Sequence, residues 1–287
     1  MKKRVESLLK ANGIEVALEE REVTKNGVIH HGFSVDRGEG SSTRLCPVVY
    51  YEPDDTPEMV ASRIKEALEM RPEFDIEDIM SGKAFRENAY VALVKRGGSS
   101  PEVLTRSYLN TDLVMRVRVK NRKGDCVGTI LVTDQCLEAA GLTKSQAWDI
   151  AMANSKDMVE ILPITDIISK MDPGLEGMFP PVPKEEMFYV MTYDGELPGG
   201  AAAFIFNDII SKFCADEGID ELYIVPSSTE EMLLLDAKRG SSPKDLLELN
   251  AEITSEAVDA TMQMESVIYL YSADTKEITT VQIGEEA

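Results

Sequence analysis

The stretch MFYVMTYDGELPGGAAAFIFNDIISKFCADEGIDELYIVPSSTEEMLLL, residues 187–235, reads as one compact unit of strand, glycine turn, helix, strand and Pro-Ser-Ser turn. Short β-branched and aromatic runs at 187–191, 221–225 and 232–235 predict strands, and the apolar spacing over 207–215 predicts a helix. The unit decides the fold class because hairpins and helices alternate around it without the regular βαβ period of a doubly wound sheet. The chain therefore reads as α+β, with two mixed lobes of small antiparallel or mixed sheets flanked by helices.

Upstream, residues 172–184, DPGLEGMFPPVPK, hold four prolines and two glycines in thirteen residues, a composition that sustains neither a helix nor a central strand. A chain of 287 residues sits near the size at which one core stops growing. Together these observations predict an N-terminal lobe over 1–171, a linker over 172–184 and a C-terminal lobe over 185–287. In the N-terminal part, 2–10 reads as a helix, 22–35 as a hairpin turning at Lys25-Asn26-Gly27, and 48–51 as a strand. Thr56 is placed to cap a helix that begins at Pro57. A strand at 89–94, a helix near 101–108, paired strands over 113–119 and 127–132, helices over 134–140 and 143–155, and a short apolar segment at 158–162 ending at Pro163 complete it. Beyond residue 235, a helix over 242–249 and a closing hairpin over 267–282 follow.

The net charge of −21 is unevenly spread. Residues 157–287 carry 27 acidic against 7 basic side chains, whereas 1–156 hold 24 and 23. An acidic half of this kind repels a polyanionic backbone, which makes nucleic-acid binding an unfavoured function. It suits either solubility through net charge or a surface that mimics nucleic acid toward a basic partner. No run approaches the roughly 18 apolar residues of a membrane span, and the first residues lack a signal-type apolar core. A cytoplasmic, non-secreted protein without a membrane partner is the expectation. Cys46, Cys126, Cys136 and Cys214 are widely spaced and show no C-x-x-C pair, so they read as reduced, structural thiols.

Side chains that carry chemistry are sparse. The two histidines, His30 and His31, are adjacent in a strand and point to opposite faces, which prevents shared metal binding; His31 reads as packed beside Phe33 and His30 as solvated. Ser227 and Ser228 end an apolar strand, where side chains often reach a cleft, but lack the G-x-S-x-G elbow that activates a serine. Gly199-Gly200 permits close backbone approach by a ligand or by packing, and lacks the Gly-Lys-Ser/Thr ending of a phosphate loop. Tyr223 lies on the same strand as the serines. Acidic pairs such as Glu185-Glu186 and Glu230-Glu231 do not form a calcium loop and read as solvated. Against this acidity, Arg116, Arg118 and Lys120 alternate with Val117 and Val119, which puts three cations on one strand face suited to phosphate, a carboxylate-rich partner or the chain's own acidic half. These residues, Gly199, Gly200, Tyr223, Ser227, Ser228, Arg116, Arg118 and Lys120, are the binding candidates. No catalytic residue, metal ligand or cofactor is assigned.

The C-terminal run also carries a resemblance. The strand Met187-Phe188-Tyr189-Val190, the glycine with paired alanines at Gly200-Ala201-Ala202, and the segment Leu222-Tyr223-Ile224-Val225-Pro226-Ser227-Ser228 resemble, in order and spacing, the uncharacterised bacterial family catalogued as domain of unknown function 5688. Asn250-Ala251, Ile268-Tyr269-Leu270-Tyr271 and the junction from Asn154 through 159–163 continue the similarity, and Thr261-Met262-Gln263 departs from it by lengthening the approach to the last strand. The resemblance implies a shared fold and supplies no activity. A non-catalytic protein-interaction or regulatory module is the expected class. A small-molecule enzyme with a cleft near Gly200 and Ser227, or an acidic nucleic-acid mimic, is the alternative.

Overall fold

The computed structural model describes residues 1–36, 48–69, 81–121, 123–171, 187–194, 197–238 and 242–281. They form an α+β protein with three antiparallel sheets among the described residues. In the first sheet, β1 (Ala17–Lys25) pairs with β2 (Val28–Asp36), which pairs with β3 (Val48–Tyr51). Asn26 (φ 48°) and Gly27 (φ 85°) make the turn between β1 and β2, as an Asn-Gly pair does because both tolerate positive φ. Helices α1 (Lys2–Ala11) and α2 (Pro57–Glu69) cover part of one face. Their Val5, Leu9, Val60 and Ile64 bury Leu18, Phe33, Val35 and Val49, and each such side chain contributes about 1.5–3 kcal/mol.

The second sheet has β4 (Ala89–Lys95) beside the long β6 (Thr111–Lys120), whose other side pairs first with β5 (Thr105–Tyr108) and then with β7 (Cys126–Leu131). The helix expected near 101–108 is thus a strand: pairing of 105–108 with 111–114 overrides the local pattern. A short helix α3 (Gly82–Asn88), capped by Ser81, leads into β4. The free edge of β4 is closed by side chains. Val91 N–H donates to Ser155 Oγ (2.8 Å), Asn154 Nδ2 donates to the Ala89 carbonyl (2.8 Å), and Lys95 N–H donates to Asn26 Oδ1 (2.7 Å). Edge backbone groups so satisfied offer less of a template to another strand. Ser155 and Asn154 come from α5 (Lys144–Lys156), which begins at a Thr143 to Gln146 capping box after α4 (Asp134–Ala140).

The third sheet runs β13-β12-β10-β11-β9-β8, from β8 (Val159–Pro163), β9 (Tyr189–Tyr193), β10 (Glu221–Pro226), β11 (Met232–Asp236), β12 (Tyr269–Ser272) and β13 (Glu277–Thr280). Helix α6 (Ile164–Met171) follows β8, α7 (Asn207–Glu217) precedes β10, and α8 (Pro243–Ala257) extends well past the expected end at 249. The glycine turn expected after β9 is a buried 3-10 helix, Gly200–Ile205.

Residues 172–184 lie outside the described residues. On either side of them β8 pairs with β9, and one apolar core takes Phe85, Tyr90, Met115 and Trp148 together with Tyr193, Phe204, Ile224 and Tyr271. The apolar cores therefore do not divide at the proline-rich stretch. They divide into the small core of 1–69, the large one that spans the stretch, and a minor cluster around Val225, Leu246 and Ile268. Proline content limits what a segment itself can form; it does not decide whether the strands flanking it pair.

Candidate functional site

The expected cations lie together. On β6, Arg116 and Arg118 are half-buried and Lys120 is exposed, while Val117 and Val119 between them are buried. Successive side chains alternate, so the three cations share a face at about 6.8 Å per two residues. The same face carries Tyr90, directly opposite Arg116, and Thr129, opposite Arg118. Arg116 Nη1 donates to Thr129 Oγ1 (3.0 Å) and Arg118 Nη2 to the Glu87 carbonyl (3.2 Å). Both partners are neutral and belong to this sheet and the helix leading into it. Among the described residues no carboxylate forms an ion pair with Arg116, Arg118 or Lys120. The strand does not dock on the acidic half through ion pairs of the described residues. Arg122 lies outside those residues.

The glycines and serines meet at Glu230, half of an acidic pair expected to be solvated. Glu230 accepts from Gly199 N–H at Oε2 (3.1 Å) and from the Thr229 hydroxyl at Oε1 (2.9 Å), while its carbonyl accepts from Thr192 Oγ1 (2.7 Å). Its N–H donates to Ser228 Oγ (3.0 Å), and Ser227 Oγ donates to Glu231 Oε1 (3.1 Å). Glu230 and Glu231 are half-buried acceptors in a tight loop, so their expected solvation is corrected. A Glu-Glu pair in sequence gives no sign of this, because the donors come from residues some thirty positions upstream as well as from neighbours.

Close approach at Gly199 and Gly200 is taken up by the protein. A Cβ on Gly199 would strike Ala92, reaching 2.9 Å from its Cα, and one on Gly200 would lie 2.6 Å from the Glu230 carbonyl oxygen. Tyr90 joins the two regions: its hydroxyl donates to the Pro198 carbonyl (3.1 Å). Burial pushes this hydroxyl up to about 12, against the opposing pull of Arg116, and the Glu230 carboxylate adds to the rise. Tyr90 is thus a neutral donor near pH 7 and no general base. Tyr223 stands apart from this junction. It packs with Val225, Leu246 and Ile268 between the third sheet and α8.

The histidines reverse their expected roles. His31 is exposed, and His30, whose ring is tilted against Tyr50 at 5.4 Å between centroids, has a buried Nε2. Parity placed His31 on the Phe33 face correctly, but α1 and α2 cover only the Phe33 end of that face.

The family model described as a family of unknown function, DUF5688, matches residues 1–273. The chain belongs to this family. No match was found among curated proteins or among solved structures. The DUF5688 match takes in the first two sheets as well as the C-terminal run that carried the resemblance, and it ends before β13. No helix of the described residues is long and apolar enough to cross a membrane, and those residues hold no group of three or more His, Cys, Asp or Glu placed to bind a metal.

Ser228 is nearly buried and acts as a backbone acceptor, and Ser227 is held by Glu231. Ser228→Ala should lower stability by about 1 kcal/mol in urea unfolding, the usual net worth of such a bond. Neither serine should react with a fluorophosphonate probe, and labelling of either in the folded protein would overturn their structural role.

Proposed function

We propose that this DUF5688 protein is a non-catalytic interaction module of the cytoplasm that holds an acidic segment of a partner protein against the β6–β7 face. The observation that carries this reading is the row of Arg116, Arg118 and Lys120 on one partly exposed sheet face, with no neutralising carboxylate among the described residues of a chain whose net charge is −21. Cations that no described carboxylate pairs with, in so acidic a chain, favour an anionic ligand from outside. Two-residue spacing along the strand matches an extended peptide with carboxylates at alternate positions, which could lie parallel to β6 and meet each cation in turn. The acidic remainder of the chain disfavours long polyanions such as nucleic acid, because most of their length would meet like charge.

The enzyme alternative near Gly200 and Ser227 has less support, since Glu230, Thr192 and Ala92 occupy the space those glycines open, and both serines are engaged with their own loop.

A fluorescein-labelled extended peptide with glutamates at alternate positions should bind the full chain at low salt, more weakly in 0.5 M salt, as screening shortens the reach of exposed charges. The triple change Arg116→Gln, Arg118→Gln and Lys120→Gln should weaken it at least tenfold. Lys120→Glu, which leaves the hydrogen bonds of both arginines in place, should weaken it severalfold. Because those hydrogen bonds go to neutral groups, any loss of melting temperature in the triple variant should be the same at both salt concentrations. Unchanged peptide affinity in the folded variants, or tighter binding of single-stranded DNA than of the peptide, would reject the proposal.

A further inference from the structure

The first sheet carries a second site of opposite sign. Alternation puts Leu18, Glu20, Glu22 and Thr24 of β1 on one face with Ile29, His31, Phe33 and Val35 of β2 and Val49 and Tyr51 of β3, and the pairing register sets Glu22 opposite His31 and His31 opposite Tyr51. Helices α1 and α2 bury the Leu18, Phe33, Val35 and Val49 end of this face. The other end stays open, and Ile29 there is 60% exposed. Between the two ends lies a recess of about 250 Å³ lined by Glu20, Arg21, Glu22, His31 and Tyr51. That is smaller than the roughly 300–1,000 Å³ of a cofactor or drug-sized site and suits a single side chain.

We infer that this recess receives one arginine side chain presented by a partner protein. Tyr51 gives it a fixed aromatic wall, because its ring stacks on buried Phe33 (4.9 Å between centroids) and on His31 (6.4 Å). Glu20 and Glu22 stand two residues apart along the same face. Glu22 touches His31 Nδ1 at 3.4 Å, while Glu20 has no ion-pair partner among the described residues. The one arginine in the lining does not neutralise it: the Arg21 guanidinium pairs with Glu19 Oε2 at 2.8 Å, and both residues belong to the opposite parity of β1. The negative potential is felt at the tyrosine, whose hydroxyl is raised by burial first and then by Glu20 and Glu22. A guanidinium satisfies all three features together, since its plane stacks on an aromatic ring while its edge donates to carboxylates, which an ammonium cannot do. Exposed Ile29 beside the recess offers apolar contact to the rest of the docked segment. This site shares no residue with the β6–β7 face, and either can stand without the other.

The test uses the full chain and NMR of the histidine rings. Only two histidines are present, so His31→Gln assigns the signals, and His30, on the opposite face, serves as the internal control. A short peptide with one arginine flanked by isoleucine and alanine should shift the His31 signals saturably, with a dissociation constant on the order of 1 mM or tighter, and leave His30 unmoved. The same peptide with citrulline, the neutral isostere, should bind about tenfold more weakly, and the lysine version severalfold more weakly. Tyr51→Leu and the pair Glu20→Gln with Glu22→Gln should each cost about fivefold or more in affinity. Equal shifts with the arginine and citrulline peptides, or none with either, would overturn the inference without recourse to any variant. Agmatine binding as tightly as the peptide would overturn the assignment to a protein partner. Because none of these peptides is acidic, these results are independent of the β6–β7 experiment.

Discussion

Replacing Gly199 with alanine is expected to destabilise the protein by about 4 kcal/mol or more, enough to unfold a domain of ordinary stability. Two costs add. The residue has φ +87°, where an L side chain is strained, and its Cβ would press into Ala92 on the innermost part of β4. Ala92 is 1% exposed in the fully buried run of β4, so neither partner can move aside without shifting a sheet. Gly218→Ala provides the comparison, because φ there is +71° but nothing lies within 4 Å of the added Cβ, leaving only a backbone cost of about 1–2 kcal/mol. Chemical denaturation of both variants measures the difference. Equal losses at the two positions would show that Gly199 is there for its φ alone and that the sheet contact gives way.

Asn26→Ala should cost about 3 kcal/mol, and the loss should appear first in the small N-terminal sheet. The Asn26 side chain is buried in the junction between the two cores: Oδ1 accepts from Lys95 N–H (2.7 Å) and Nδ2 donates to the Gln263 carbonyl (2.7 Å). Truncation leaves both backbone groups without these partners, at about 1–3 kcal/mol each, and places alanine at φ 48°. Gly27 N–H to the Gly98 carbonyl (3.0 Å) and Thr24 N–H to Ser100 Oγ (3.2 Å) remain as secondary ties. Hydrogen exchange in β1 to β3 should therefore accelerate while the third sheet keeps its protection, as expected of a locally opening unit. Asn26→Gly, which keeps the φ preference and loses the amide, separates the two causes. A stability within about 0.5 kcal/mol of the parent for Asn26→Ala would show that the turn is held by the secondary ties alone.

Most elements were legible because local rules act within a few residues. The Asn26-Gly27 hairpin, the Thr143 cap, the alternation that puts Arg116, Arg118 and Lys120 on one face, and the strands of 187–235 all follow from φ preference, capping and period. The DUF5688 membership was likewise carried by residues readable in order along the chain. The strand Thr105–Tyr108 is not legible in its local pattern because its stability comes from pairing with β6, and no short window contains that partner.

Composition and local patterning are enough to give the α+β class, the charge asymmetry between the two halves and the row of cations on β6. Which polar groups became structural and which stayed open was settled by packing between distant elements. Glu230 is an acceptor because Gly199 and Thr192 reach it from β9 and the turn beyond, and Asn26 is a clasp because β4 and the loop at Gln263 converge on it. His31, Tyr51 and Glu20 form an open recess because α1 and α2 end short of them. Each of these outcomes depends on groups far apart in sequence brought within about 3–5 Å, where hydrogen bonds and stacking act, and that convergence is a property of packing that no local pattern encodes.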